Sequence, residues 1–578
     1  MSVDPVTFQV VLSRVSGIVQ EMQDSIFRTG YSTIVRESQD ASCLILDASG
    51  DVVGQHVIYP LHVGVLPEVI RAIRARFGDD IHAGDVFITN HPYEAGLLHS
   101  MDMAVVTPVV HEGRIVAFCG SIAHKSDLGG VVPGTSNANA RELFQEGIQY
   151  PPVRYMRGDV VERDVEAILG ANSRTPELVL GDLRGQIGCA RLGERRIADL
   201  IARYGCDIVL DCFRRKHDVT EQRARSAIAR WADGSAEAEA FIELDPTSEE
   251  RVRFHVRVEK RGERIRFDFS QTDDQAASPV NIRLPAVRGC CYYALIAMID
   301  TSLQNDGGLA RVAEITVRHG SALDPRFPAP VSAYMPTANA LTEAILHALS
   351  AFVPDKRHAR CGLSGGTAIA GTRPDATPFV QYELGGSAYG GIAGFDGLSG
   401  IGVLQANARS APVEVIETEF PTRLLRFELI RDCGGPGEFR GGLSHRRVYE
   451  ILTNDAQMTL RGGLHRWPAL GLDGGKNGRP GRCTLNPGTP SEKALPNRFS
   501  GVRLQHGDVV ALEVAGGGGL GDPRRRDFQR VLDDVLDGYV GRDAALCDYG
   551  VEAERLDAAT ESFSQASARM AGIISSTR

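Results

Sequence analysis

The sequence predicts an α+β chain of several domains, built from antiparallel and mixed sheets with an N-terminal metal-binding domain, and three observations point that way. Alternating apolar residues fold back on themselves in tight hairpins at 102–124 and 252–269. Apolar residues recur at helical spacing at 8–26, through 160–232 and at 528–536. A length of 578 residues exceeds what one hydrophobic core ordinarily serves. The expected divisions are a metal-binding catalytic domain at 1–235, an α+β domain at 236–330, a glycine-rich β domain at 331–505, and a C-terminal strand with helices at 506–578.

The elements follow in order. Phe8, Val11, Leu12, Val15, Ile18, Met22 and Ile26 recur at helical spacing behind Asp4-Pro5, a start signal, so an amphipathic helix opens the chain. Cys43-Leu-Ile-Leu46 reads as a strand, Asp47-Ala-Ser-Gly50 as a turn and Asp51-Val-Val53 as the return. After the helical stretch closes at Trp231 to Gly234, Val252, Phe254, Val256 and Val258 alternate with polar residues. Arg261-Gly262 turns the chain, and Ile265, Phe267 and Phe269 alternate back. The glycine-rich stretches 362–402 and 462–490 read as loops. Val509 to Val514 reads as a strand, and Phe528, Val531, Leu532, Val535 and Leu536 as one face of a helix.

The chemistry concentrates early: seven of the fifteen histidines lie between His56 and His124. Asp102 to Val110 reads as a strand, Glu112-Gly113 as its two-residue turn, and Ile115 to His124 as the antiparallel return. That turn makes residue n face residue 225 − n, so His124 is expected opposite Met101, with His99 as its diagonal neighbour. Diagonal Cβ atoms lie roughly 7–8 Å apart, a gap two imidazoles can close around one metal ion. Asp102 would point to the other face of an ideal strand and joins them only if the chain is irregular there. Imidazole and carboxylate donors without thiolate suit Zn²⁺, Mn²⁺ or Fe²⁺. The competing reading keeps each histidine as a hydrogen-bonded strand-end residue.

Composition excludes several classes. A net charge of −10 with no basic stripe argues against nucleic acid, and Arg524-Arg-Arg526 reads as a solvated helix start. The N-terminus lacks the layout of a signal peptide and no apolar run reaches eighteen residues, so a cytoplasmic protein without a membrane partner is expected. Eleven cysteines include no C-x-x-C pair, as expected of reduced, mostly buried thiols. Gly516 to Gly521 has the form G-x-G-x-x-G, but no second strand follows it. No G-x-x-x-x-G-K-[ST] occurs, and Gly362-Leu-Ser-Gly-Gly366 matches a nucleophile elbow without a preceding strand.

Taken together, several segments resemble the hydantoinase B/5-oxoprolinase family over nearly the whole chain. The resemblance rests on Asp4-Pro-Val-Thr7, Gly84 to Asn90 with Pro92-Tyr93, His99-x-x-Asp102, and Ala123 to Gly130 with Pro133-Gly134. It continues through Gln145 to Ile148 with Pro151-Pro152, Asp432 to Gly442, Gly516 to Pro523 and Val531 to Val540. It implies a catalytic divalent metal, Zn²⁺ or Mn²⁺, held by His99, Asp102 and His124. An early acidic position corresponds to Asp40, either a fourth ligand or, in a dinuclear site, a bridging one. Asp127 is then a proton acceptor or a support for a ligand. The resemblance further implies an ATP-dependent cyclic amide hydrolase. A hydantoinase A-type partner subunit holds ATP and phosphorylates the amide oxygen, this chain hydrolyses the product, and the pair assembles as a heterotetramer. The alternatives are a subunit of an acetone- or acetophenone-type carboxylase and a non-catalytic scaffold.

Departures from the family pattern bear on substrate. His91, Leu97, Leu98 and Lys125 stand where the family pattern is more polar or carries a second histidine. An approach lined by Leu97 and Leu98 would suit a ring without a carboxylate, such as a caprolactam-like lactam.

Overall fold

A computed structural model describes residues 3–576 apart from 57, 245–249 and 364, so Ser364 of the Gly362–Gly366 pattern lies outside the described residues. Asp4 caps the first helix, Pro5–Thr29, by accepting from the Val6 and Thr7 amides, and the buried face is Phe8, Val11, Val15, Ile18, Val19, Met22 and Ile26. That face covers one side of a seven-stranded sheet made of β1 (Ala41–Asp47), β2 (Val52–His56), β3 (Val86–Thr89), β4 (Asp102–His111), β5 (Arg114–His124), β6 (Val153–Arg157) and β7 (Val160–Val161). The strand order is β2-β1-β5-β4-β3-β6-β7, and every pairing is antiparallel. The expected helical stretch resolves into three helices, Arg163–Ala171, Pro176–Tyr204 and Cys206–Ile228.

The second sheet contains β8 (Gly234–Glu243), β9 (Arg251–Arg261), β10 (Arg264–Asp268) and β11 (Ala313–Thr316), and it is mixed because β10 and β11 run parallel. The Arg261-Gly262 hairpin forms as expected. One apolar core reaches from Leu44 to Leu404 and includes the helices Leu284–Ile299 and Tyr334–Ser350. A boundary at 235/236 therefore cuts β8, and its two sides share a core.

Two further sheets interleave. β12 (Gly365–Thr372), β13 (Pro378–Gly385), β16 (Ala456–Arg461) and β19 (Arg498–Leu504) form one. β14 (Thr422–Leu429), β15 (His445–Ile451), β17 (Arg482–Leu485), β18 (Lys493–Leu495) and β20 (Val509–Glu513) form the other. Residues 365–385, expected as loop, are thus a paired hairpin whose inward residues include Ile369 and Phe379. The 505/506 boundary also falls inside a sheet, since β20 pairs with β15 and β17. Gly516 to Gly519 run beside this sheet as a strip of bare backbone. A Cβ on Gly516 would stand 1.9 Å from the Cys433 carbonyl oxygen, and one on Gly517 2.0 Å from that of Tyr389. Arg526, expected in solvent, is buried between Asp396 and Asp534 at 2.6 and 2.8 Å. No disulfide forms among the described cysteines. No described helix is long and apolar enough to cross a membrane.

Candidate functional site

Three neighbouring strands of the first sheet place three of the expected ligands at the same end. Asp40 immediately precedes β1, Asp102 opens β4 and His124 closes β5. The Glu112-Gly113 turn forms with both residues at positive φ, 49° and 72°, as a two-residue hairpin turn requires. The register does not hold, however. Val110 pairs with Ile115 but Val109 pairs with Ala117, so Val116 is an extra residue, and beyond it n faces 226 − n. His124 accordingly faces Asp102 and not Met101. Directly opposed residues share a sheet face. The bulge, not irregularity in β4, brings the Asp102 carboxylate to the histidine side. The His124 amide donates to the Asp40 carbonyl at 3.2 Å, and the Asp102 amide to the His99 carbonyl at 3.3 Å.

All four side chains are buried. His99 Nε2 lies 3.1 Å from Asp102 Oδ1, and the His99 and His124 ring centroids are 5.3 Å apart. His62 completes the far side: its Nδ1 is 2.9 Å from Ser42 Oγ and its Nε2 3.8 Å from Asp102 Oδ2. Both ring nitrogens of His99, both of His124, and Asp102 Oδ2 are buried without a hydrogen-bond partner among the described residues. Buried polar atoms are rarely left so, and two imidazoles with a carboxylate are a donor set that a divalent cation satisfies. The donor chemistry therefore fits the implied metal. The spacing is looser than a closed ligand shell, because the one described group whose ligand atoms all lie within 4.8 Å of one another is elsewhere, at Asp47, Asp51 and His217.

The electrostatics keep these groups distinct. Burial and the neighbouring Asp102 push the Asp40 carboxyl well above its ordinary range, opposed by Arg461. Burial would raise Asp102 too, but His99 and His62 together hold it below the ordinary value. Burial and His99 hold His124 well below its ordinary value, which leaves it a neutral imidazole with a lone pair to offer.

A cavity of about 550 Å³ opens over Asp40, His99 and His124. Its lining also includes the end of the third sheet, where Arg461 closes β16 opposite Gly366 of β12, and Tyr382 stands near the end of β13. A Cβ on Gly366 would meet Arg461 Nη2 at 2.8 Å, so the glycine makes room for the guanidinium. Arg461 donates to the Ser332 carbonyl at 2.6 Å, and its guanidinium lies 5.3 Å from the Tyr382 ring centroid. Burial lowers it to about 10, so it stays charged at neutral pH. Tyr382 packs on His124 at 4.6 Å and Tyr334 on His99 at 4.9 Å between centroids. Tyr59 also borders the space. Arg461 and these tyrosines were not singled out from the sequence. The one local signal is a charged residue ending the otherwise uncharged strand Ala456 to Leu460.

Other expected residues lie elsewhere. Asp127 Oδ1 accepts from the amides of Gly129 and Arg174, and its Oδ2 from the Gly134 amide and from Arg174 Nη1, so it fastens a loop and does not line the cavity. Leu97 and Leu98 are buried in the main core away from the cavity, so the expected apolar approach does not form. His91 Nδ1 accepts the Tyr93 and Glu94 amides, and Lys125 donates to Gln186 Oε1 at 2.6 Å.

Comparison with known proteins bears on the fold and the family. The chain is 31% identical over 576 residues to a protein of Pseudomonas sp. (strain NS671) provisionally described as a D-/L-hydantoinase subunit, covering 96% of this chain and 97% of that one. The crystal structure of ATP-dependent caprolactamase from Pseudomonas jessenii superposes with a TM-score of 0.88 at 28% identity, covering 95% and 97% of the two chains. A nucleotide-free acetone carboxylase structure shares the fold, with a TM-score of 0.84 at 18% identity over 95% of this chain and 80% of that one. The family model for hydantoinase B/oxoprolinase matches residues 4–523, and the chain belongs to that family.

Proposed function

We propose that this chain is the metal-dependent subunit of an ATP-dependent cyclic amide hydrolase. A separate hydantoinase A-type subunit holds ATP, phosphorylates the amide oxygen and assembles with this chain as a heterotetramer. The observation that carries the reading is the set of unpaired ring nitrogens on His99 and His124, which line a cavity large enough for a small ring and its phosphate, with the Asp102 carboxylate buried beside them. The names of the hydantoinase and caprolactamase relatives support the reaction class.

His99, Asp102 and His124 would hold the divalent cation, Zn²⁺ or Mn²⁺, with Asp40 as a fourth or bridging ligand. Such a cation lowers the pKa of bound water from its bulk value towards about 7 and so supplies a nucleophile at neutral pH. The chain's own groups do the rest. His62 orients the Asp102 carboxylate from behind and is itself fixed by Ser42. Arg461 borders the same cavity and would offset the charge of the phosphoryl group while water adds to the ring carbon, the C–N bond breaks to leave an open-chain acyl phosphate, and a second water releases phosphate from it. Tyr334 packs edge-on against His99 and Tyr382 packs at a tilt on His124, so the two imidazoles are held and little is lost to reorientation. Asp127 holds the Gly129–Gly134 loop below.

The test is ring opening by the reconstituted two-subunit complex with ATP, using 5-oxoproline, hydantoin, δ-valerolactam and ε-caprolactam. ATP-dependent opening of at least one ring supports the proposal. Bicarbonate-dependent carboxylation of a ketone with no ring opening would sink it. With Leu97 and Leu98 in the core, discrimination among the rings falls to Arg461 and the tyrosines. A caprolactam-like ring remains the substrate we propose, now on the similarity to the caprolactamase of Pseudomonas jessenii and not on Leu97 and Leu98.

A further inference from the structure

At the tip of the β1–β2 hairpin, away from the cavity, stand groups that the proposed reaction does not use. Ligand atoms of Asp47, Asp51 and His217 lie within 4.8 Å of one another. Asp47 Oδ1 is occupied by the turn, accepting from the Ser49 amide and hydroxyl and from the Asp51 amide. Those bonds describe an ordinary turn and indicate no ligand. The indication comes from His217, on the helix Cys206–Ile228, whose side chain is only 1% exposed. Its Nε2 is 3.0 Å from the Val52 carbonyl oxygen. A carbonyl can only accept, so Nε2 carries the hydrogen, and in the neutral ring Nδ1 is a bare lone pair. Among the described residues that lone pair makes no hydrogen bond, and Asp47 Oδ2 lies 3.9 Å from it.

Asp51 sharpens the problem, because its carboxylate makes no hydrogen bond or ion pair among the described residues. The nearby cations are engaged with other groups. Lys216 donates to the Val53 carbonyl and sits 3.7 Å from Asp306, and Arg74 donates to the Ala48 carbonyl. Two partly exposed carboxylates and a buried imidazole lone pair converge there, an arrangement that a cation between them would stabilise. Gly307 closes one side, since a Cβ there would stand 2.9 Å from Asp51 Cβ and 3.2 Å from His217 Cε1.

We infer that Asp47, Asp51 and His217 form a second divalent-cation site, distinct from the one at His99, Asp102 and His124. One imidazole with two carboxylates is a donor set for a borderline cation such as Mn²⁺ or Zn²⁺, since Ca²⁺ and Mg²⁺ take oxygen ligands. The ion would pin the hairpin tip to the helix. The same hairpin carries Asp40 just before β1 and His56 at the end of β2, both of which border the cavity.

Mn²⁺ binding to the chelator-treated full-length chain, followed by electron paramagnetic resonance, tests the site. The His99→Ala/His124→Ala double variant removes the cavity site, so the result is independent of the proposed function. One equivalent of Mn²⁺ should remain bound in that background. Adding Asp51→Asn should weaken it at least tenfold, and adding His217→Gln, which can still donate to Val52, should do the same. Circular dichroism confirms that each variant is folded, and a Zn²⁺ competition assay covers the second metal. If the double variant binds neither ion, or binds as tightly with Asp51→Asn as without it, the groups are bridged by a protonated imidazole and the inference is overturned.

Discussion

Asp102 and His124 face one another across β4 and β5 because Val116 is one residue too many for the hairpin that joins them. Without that bulge the same turn would set His124 against Met101, and the carboxylate and the imidazole would look to opposite sides of the sheet. Bulges are common beside active sites because they redirect a side chain without a change of fold.

His99→Ala and His124→Ala should each abolish stoichiometric metal, measured by elemental analysis, together with ring opening by the complex. Among the described residues no ring nitrogen of either histidine makes a hydrogen bond, His99 Nε2 only approaching Asp102 Oδ1 to 3.1 Å, so the metal-free variants should melt close to metal-free wild type. Metal at about 100 times its Kd should stabilise wild type by about 2.7 kcal/mol and leave the variants unmoved. Full occupancy in both variants would refute the assignment. Asp40→Ala should remove one of two metals if the centre is dinuclear.

Arg461→Gln should lower kcat/KM of the complex by about 100-fold, the usual scale for losing a charged group that meets developing negative charge. Arg461→Lys should recover part of the loss. An unchanged kcat/KM in Arg461→Gln would show that the guanidinium only fills space beside Tyr382.

Glu146 gives a pH signature. Burial raises its carboxyl to about 7 from an ordinary 4.5, although it accepts the Val331 and Ser332 amides. Between those values the folded state holds a proton that the unfolded state has lost, so stability falls as pH rises from about 4.5 to about 7. The contribution is on the order of 3 kcal/mol. Glu146→Gln should flatten this part of the stability–pH curve and match or exceed wild type at pH 8 in denaturant titrations. A slope identical to that of wild type would place the titration elsewhere.

The purified single chain should neither bind nor turn over ATP, as read by calorimetry and phosphate release. In the one glycine run shaped like a phosphate loop, the amides of Gly516, Gly517, Gly518, Gly519, Leu520 and Gly521 all donate to backbone carbonyls. None remains for a phosphate. Activity should appear only when the ATP-binding subunit is added.

How much of this the sequence disclosed depended on distance along the chain. The opening helix, the Glu112-Gly113 turn and the hairpin strands were legible because periodicity and turn chemistry are local. The register was not, since a single extra residue such as Val116 leaves the alternation on either side intact. Arg461, Tyr334 and Tyr382 reach the cavity from more than 200 residues downstream of His124. No spacing rule connects residues that meet only through the packing of separate sheets. Leu97 and Leu98 mislead for a related reason: adjacency to a ligand in sequence is not adjacency to the cavity.

The bare backbone strip at Gly516–Gly519 also sets an order of events in synthesis. Its amides reach Arg479, Gly442, Arg360 and Lys476, and its carbonyls receive the amides of Gly435, Gly391 and Leu472. These segments span more than 100 residues of earlier chain, and each is tied to a spindle made after all of them. A ribosome that has reached residue 513 has produced every strand of the last two sheets and nothing to gather their connections around. The C-terminal half should thus stay open until nearly the whole chain has emerged, and a truncation before Gly516 should unravel loops as far back as Arg360.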